Sequence, residues 1–581
     1  MAPQQLNVTA WERFLDVVPT SKELDLDAKA RLRDYLRNGA DIHLNSKVVP
    51  DQLPFRPCRN LPTAQSAEQK VKLLEDFKKE VELGRRAGPF IDLPNPHLQC
   101  SPLGTVTKKH SKKFQRTILH LSYPRDGSGS SVNSGVEELE CELMRFGDAV
   151  GEIVRRGRGC QLSKFDIKDA FRLIRVRPDQ QTLLGMKFMG WYFVELALPF
   201  GLKSAPALFE MFSTAIDKFI QHAGVETVFH YLDDFLVVSG ISQAEDEYRT
   251  VLRVFSELGV ELAQEKLAAP STRIEFLGLV LDSDSMMIEL PEDKLSRYRV
   301  TIGRLRLNRE ATLDELLQMV GVLVYSAMVI QHGRSFYYHI IHMVKEAKRL
   351  HTEGAPFSLK FPLSAAALRE LEWWALFIVE WNGKCMIAPS ICHFEPPARH
   401  RLFTDACRTG MGAWFDECEY AAHVWDAVEL ARAQRKKTLS MPYLELLALT
   451  HGVGVWREKL RGRALIIQTD CEVVVEVFKK GYSRDGNMML LLRQLALFTC
   501  TCNIFIHVCH IPGVDNVVAD CLSRLTQCAS DSVVDVSAFF ELQEVKEAAK
   551  KGALLARREV TPFPSLSWNK LARNSKSAPS R

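Results

Sequence analysis

The sequence lacks an uninterrupted apolar stretch of the roughly 18 residues that a membrane-crossing helix needs, so no membrane partner is expected. Its opening, MAPQQLNVTAWERFL, has no long apolar run of the kind a secretory leader carries. Fourteen cysteines are scattered without a disulfide framework, which predicts free thiols in a reducing, intracellular compartment, cytoplasmic and/or nuclear. No repeat of fixed period is present. Excess charge is also missing. A net charge of +4 is compatible with a polyanionic partner but too weak to imply one. What is present is ordinary globular composition: 46% hydrophobic and 25% charged residues in 581. That supports a large core and, at roughly 150 residues each, three or four domains.

One cysteine-rich stretch needs a decision. CTCNIFIHVCH holds Cys500, Cys502, His507, Cys509 and His510. It lacks C-x-x-C spacing, and Ile504, Phe505, Ile506 and Val508 favour a buried β-strand over a zinc site.

Along the chain, SAEQKVKLLEDFKKEVELGRRAG carries apolar residues at helical spacing and predicts a helix stopped at Gly88. A proline-punctuated loop and a basic segment, TVTKKHSKKFQRTILHLSYP, follow. Short β-type runs then alternate with helical ones from about 135 to 285, and helices dominate from about 290 to 395. There Thr312 and Glu315 have capping-box spacing. A second α/β segment covers about 398–528, before a basic tail.

HYLDDFLVVS sets Asp233 beside Asp234 at the tip of a predicted hairpin. Aspartate is a common turn residue, so a polar turn and a metal site both remain open on this stretch alone. Upstream, Phe165-Asp166-Ile167 reads as the end of a strand, where a carboxylate is costly unless it meets a cation or donors. Between them, Leu198-Pro199-Phe200-Gly201 makes a loop and Ser204-Ala205-Pro206 opens an amphipathic helix.

This order resembles the palm of a reverse transcriptase. The stretches SPLGTVTKKH, LHLSYPRDGSGSSVN, FDIKDAFRLIRV, LLGMKFMGWYFVELALPFGLKSAPALFEMF, IEFLGLVLD and LLQMVGVLVYSAMVIQHGRSF follow in the matching sequence. The chain looks like a retroelement reverse transcriptase joined to a ribonuclease H domain, most similar to the DIRS-like and Ngaro-like tyrosine-recombinase elements.

The resemblance implies an α+β multidomain fold: a right-hand polymerase of fingers, palm and thumb, then an α/β ribonuclease H-like domain. It divides the chain into an N-terminal helical extension (1–83), fingers and palm (84–285), thumb and connection (286–397), ribonuclease H-like domain (398–528) and basic tail (529–581). It makes Asp166 and Asp233 the principal ligands of two Mg²⁺ ions, with Asp234 completing the group and Mn²⁺ as a substitute; hard oxygen ligands suit such ions. Asp169 falls outside the matching positions and is given a structural role. Phe171 matches a steric gate that selects dNTPs, beside the loop at Phe200 and Gly201. Lys109 and Arg116 match the basic pair that grips the triphosphate, although Thr107 and His110 replace the proline and aspartate common in relatives. Lys266 matches a lysine near the leaving pyrophosphate.

Further on, LFTDACRTGMGAWF, SMPYLELLALTHGV, ALIIQTDCEVVVEVF and HVCHIPGVDNVVADCLSRL carry Asp405, Glu445, Asp470 and Asp520 on strand, helix, strand and helix. Each alone has a bland reading as a strand-end or helix-face acid. Together they resemble the ribonuclease H quartet, with two further Mg²⁺ ions, and His510 sits where some relatives have a histidine that aids product release. Asn516 is expected to tighten the turn before the last helix. The implied partners are RNA template, DNA primer, RNA–DNA hybrid and dNTPs; the oligomeric state is left open. A degenerate copy that only binds nucleic acid, or keeps only ribonuclease H, is the alternative, against which the intact carboxylates argue.

Overall fold

The N-terminal residues build short capped helices. Asn7 accepts from the Ala10 amide to start α1 (Val8–Val17), and Asp25 accepts from Ala28 to start α2 (Leu26–Asn38). A Ser66–Gln69 capping box opens α3 (Ala67–Glu82). This computed structural model describes residues 6–108, 111–124, 130–330, 333–356, 358–380, 385–386, 400–435, 438–502 and 504–524. The chain divides into two compact units, 1–277 and 278–581.

In the first unit α3 ends before the expected stop. Gly84 takes the left-handed conformation (φ 65°) that terminates the helix, and Gly88 belongs instead to β1 (Arg86–Phe90). β2 (Leu103–Lys108) and β3 (Ser111–Leu119) form an antiparallel ribbon. α4 (Phe146–Arg156) leads into β4 (Gln161–Asp166), then β5 (Gly185–Phe188), β6 (Trp191–Glu195) and α5 (Ala205–His222). The predicted hairpin is β7 (Val228–Tyr231) and β8 (Asp234–Ser239), followed by α6 (Ala244–Glu257), β9 (Ala268–Ser271) and β10 (Arg273–Phe276).

The central sheet has the order β7-β8-β4-β9, and a smaller one runs β1-β6-β5. The apolar run FLVVS on β8 is buried throughout, as expected of a strand covered on both faces. The N-terminal helices are part of this core: the Trp11 ring meets Phe212 at 5.4 Å and Phe14 stacks on Phe219 at 5.0 Å.

The second unit starts with the hairpin β11 (Leu279–Asp282) and β12 (Met287–Glu289). Helices α7 (Glu292–Asn308), α8 (Leu313–Ser326), α9 (Tyr338–Thr352) and α10 (Ala365–Glu380) follow, interleaved with the short pair β13 (Glu310–Ala311) and β14 (Phe361–Pro362) and with β15 (Cys385–Met386). The Thr312–Glu315 capping box is formed at the start of α8.

Beyond these lie β16 (His400–Ala406), β17 (Gly410–Phe415), β18 (Glu419–Val424), α11 (Ala427–Ala433), β19 (Gln434–Arg435), β20 (Thr438–Leu439), α12 (Met441–Trp456), β21 (Ala464–Thr469), α13 (Glu472–Lys480), α14 (Gly486–Cys502), β22 (Phe505–His510) and α15 (Val517–Arg524). A five-stranded sheet has the order β18-β17-β16-β21-β22, antiparallel on one side of β16 and parallel on the other. The cysteine-rich stretch is split: Cys500 and Cys502 end α14, whereas His507, Cys509 and His510 lie on strand β22. Among the described residues, no helix is long and apolar enough to cross a membrane.

Candidate active site

In the first unit, antiparallel pairing of β4 with β8 places Asp166 opposite Asp234. Asp233 occupies the turn between β7 and β8, next to Leu232 in the left-handed conformation (φ 53°), and its carbonyl accepts from the Ile167 amide at 3.0 Å. The three predicted carboxylates therefore meet at one end of the sheet. Asp166 is only 4% exposed. Burial raises its pKa to about 6, and the charges of Asp234 and Asp233 add to that; the Lys266 ammonium opposes it. Asp233 is shifted upward as well, first by burial.

Lysines answer this negative charge. Lys266 Nζ donates to both Asp166 oxygens, at 2.9 and 2.7 Å, and Lys164 Nζ lies 3.2 Å from Asp234 Oδ1. The resemblance pointed to Lys266 but not to Lys164. The signal for Lys164 was available in the alternation of the strand, which puts residues i and i+2 on one face.

Asp169 stays apart from the cluster, in the left-handed conformation and paired with Arg85 at 3.0 Å, in keeping with a structural role. The turn that carries Phe171 is fixed by a buried arginine that sequence reasoning passed over. Arg172 donates to Glu80 Oε2 at 2.8 Å and is also bound to Glu195. The Phe171 ring packs edge-on against Phe200 (5.6 Å) and Phe209 (5.5 Å). Gly201 adopts φ 94°, and a Cβ there would meet the Leu119 carbonyl at 3.2 Å. Asn133 ties down this loop, donating to the Gly201 carbonyl (2.8 Å) and accepting from the Lys203 amide (2.9 Å). Lys109 lies outside the described residues; Arg116 is described as a strand position opposite Val106.

The second unit holds another acidic group. Asp405 lies on β16, Glu445 on α12 and Asp470 directly after β21, with one carboxylate oxygen from each lying within 4.8 Å of the others. Glu445 is 6% exposed, and its Oε2 is buried without a hydrogen-bond partner. Burial, with Asp405 and Asp470 nearby, pushes its pKa well above the ordinary carboxylate range. Burial also lifts Asp405 to about 6, against a hydrogen bond from Ser523 Oγ at 2.6 Å. An oxygen-only set with an orphaned buried acceptor fits a hard divalent cation.

Asp520, the fourth predicted acid, is on α15 and pairs with Arg524 at 2.6 Å. It stands outside the close trio, although its charge raises the Asp405 pKa. His510 ends β22 opposite Thr469, the residue before Asp470. Asn516 reaches further than its own turn, donating to the Thr404 carbonyl of β16 at 3.0 Å. α15 can sit this close because Gly412 faces it; a Cβ there would be 2.3 Å from the Ala519 carbonyl.

Residues 105–281 match the family described as reverse transcriptase (RNA-dependent DNA polymerase). That match makes these residues a reverse transcriptase domain. Asp166, Asp233, Asp234 and Lys266 all lie within this reverse transcriptase domain. Over 547 residues, 88% of the chain, it is 26% identical to Polyprotein P3 of Commelina yellow mottle virus. Over 376 residues it is 23% identical to the Transposon Tf2-3 polyprotein of Schizosaccharomyces pombe. It spans 26% and 25% of these two curated relatives, about a quarter of their length. Solved structures of foamy viral protease-reverse transcriptase, in complex with dsDNA or with RNA/DNA hybrid, are similar at TM-score 0.45. They are 15% and 14% identical, and the matches cover 88% and 91% of this chain and 98% and 65% of those chains.

Proposed function

We propose that the chain copies retroelement RNA into DNA and removes the RNA strand of the resulting hybrid. The polymerase site is Asp166, Asp233 and Asp234; the ribonuclease H site is Asp405, Glu445, Asp470 and Asp520. The observation that carries this reading is the convergence of carboxylates in two separate places, each with buried members held at raised pKa. Such groups fit divalent cations, Mg²⁺ or Mn²⁺, two per site. When bound, the ions supply charge to the entering and leaving oxygens of phosphoryl transfer.

The chain's own residues do the positioning. β4 and β8 hold Asp166 and Asp234 in register, and the turn aims Asp233 at the same point. Phe171, braced by Phe200 and Phe209, is the residue we assign to press on the sugar of a bound dNTP and refuse a 2′-hydroxyl. Lys266 is the group we assign to the leaving pyrophosphate, with Lys109 and Arg116 on the triphosphate. In the nuclease site, Ser523 orients Asp405, and His510 beside Asp470 assists release of the cut strand. Residues 286–397 would grip template, primer and hybrid through phosphate contacts that carry no sequence information. The quoted palm stretches support a DIRS-like or Ngaro-like origin.

Primer extension on an RNA template with dNTPs and Mg²⁺, run beside Asp233→Asn, tests the polymerase. Extension by the wild type and none by the variant is expected. Absence of extension by the wild type overturns the polymerase reading, and an uncut RNA–DNA hybrid overturns the nuclease reading.

A further inference from the structure

Outside both acidic clusters, a histidine pair closes around a single carboxylate. His423 Nε2 on strand β18 donates to Glu429 Oε2 at 2.9 Å, and His451 Nε2 on α12 donates to Glu429 Oε1 at 3.0 Å. The two imidazole rings stack with centroids 4.8 Å apart and planes 22° from parallel, and Trp425 lies edge-on to both, 5.7 Å from His423 and 6.1 Å from His451. One nitrogen from each ring and one oxygen of Glu429 lie within 4.8 Å of each other.

We propose that His423, Glu429 and His451 bind a borderline divalent cation of the zinc class, with water completing the coordination. Two imidazoles and one carboxylate are a zinc-type donor set, unlike the all-oxygen Asp405–Glu445–Asp470 group, which suits harder ions. The carboxylate is already oriented. Glu429 Oε2 also accepts from the Asp426 amide at 2.9 Å, the outer hydrogen bond that commonly fixes a metal ligand. An ion has a way in, because the His423 side chain is 34% exposed while His451 and Glu429 are largely covered. The ligands come from β18, α11 and α12, so the bound ion would clip together three elements that follow closely along the chain. This inference does not depend on either proposed activity.

The untagged full chain, stripped with chelator and titrated with Co²⁺, tests it. A visible d–d absorption band saturating at one equivalent is expected, displaced by Zn²⁺ and insensitive to excess Mg²⁺. His423→Gln and His451→Gln should each weaken Co²⁺ binding by more than about tenfold, and Asp470→Asn should leave it unchanged. Because His451 is buried, circular dichroism accompanies each variant, and the more exposed His423→Gln decides the matter should His451→Gln unfold. No band, an undiminished band in His423→Gln, or a band lost only in Asp470→Asn overturns the proposal.

Discussion

The two acidic clusters face the same electrostatic problem and meet it differently. In the reverse transcriptase domain, Lys266 holds both oxygens of Asp166, and Lys164 pairs with Asp234. Around Asp405, Glu445 and Asp470, the relief is a serine hydroxyl on Asp405 and the charge of Arg524, while one Glu445 oxygen is left without a partner. In the first cluster two ammonium groups offset part of the charge of three carboxylates. In the second no lysine pairs with the trio among the described residues, and burial with the neighbouring Asp405 and Asp470 charges favours a proton on Glu445. A buried carboxylate needs one or the other when no cation is bound.

The largest expected effect separates the clusters outright. Asp233→Asn should reduce primer extension by at least about 100-fold and leave hybrid cleavage intact, and Asp470→Asn should do the reverse, since each removes several kcal/mol of transition-state charge stabilisation. Loss of both activities in either variant would break the comparison. Next comes Gly412→Ala. With Ala519 carbonyl oxygen 2.3 Å from the new methyl, α15 must shift, at a cost of about 1–3 kcal/mol. Thermal melting should fall and hybrid cleavage with it, while a polymerase assay stays unchanged.

Protons give a finer contrast. Asp405 titrates at about 6 in the folded chain against an ordinary value of 3.8. Its folded form binds the proton more tightly, so its contribution to stability is full below about 3.8 and is lost as pH rises through about 6. The slope is about 1.4 kcal/mol per pH unit while one proton is released. In chelator, melting temperature should therefore drop across this window; Mg²⁺ should shrink the drop, and Asp405→Asn should flatten it without Mg²⁺. An unchanged slope in Asp405→Asn would show that this carboxyl does not titrate as described. The smallest effect is Ser523→Ala, which deletes the 2.6 Å bond to Asp405. A loss of about 1 kcal/mol, or roughly fivefold in hybrid cleavage, is expected, and the Asp405 transition should move further upward.

Local pattern made much of this legible. Asp166 at the end of an apolar strand, the hairpin at Asp233 and Asp234, and the Thr312–Glu315 cap all follow from nearest neighbours, and the structure has them. Contacts between distant residues were the illegible part. Nothing in the residues around Trp11 announces its rings' partners at Phe212 and Phe219. His423, Glu429 and His451 come together only once a strand and two helices are packed. Gly84 stopped α3 where Gly88 was expected, because two glycines four apart offer two stops and the pairing of β1 with β6 claims the second. Asp520 shows the opposite limit. Its motif places it with the other acids, yet its carboxylate turns to Arg524, four residues along its own helix.

The position of β4 has a consequence for motion. It is paired on both edges, to β8 and to β9, so its amides should be among the last in the first unit to exchange with deuterium, opening only when the whole unit unfolds. Asp166 rides on that slow backbone. Asp233 rides on a two-residue turn whose carbonyls accept from the Ile167 amide and from Ser213 Oγ. A strand paired on both edges thus carries one carboxylate and a turn held by single bonds carries its neighbour, a difference that exchange rates at Phe165 and Asp233 would display directly.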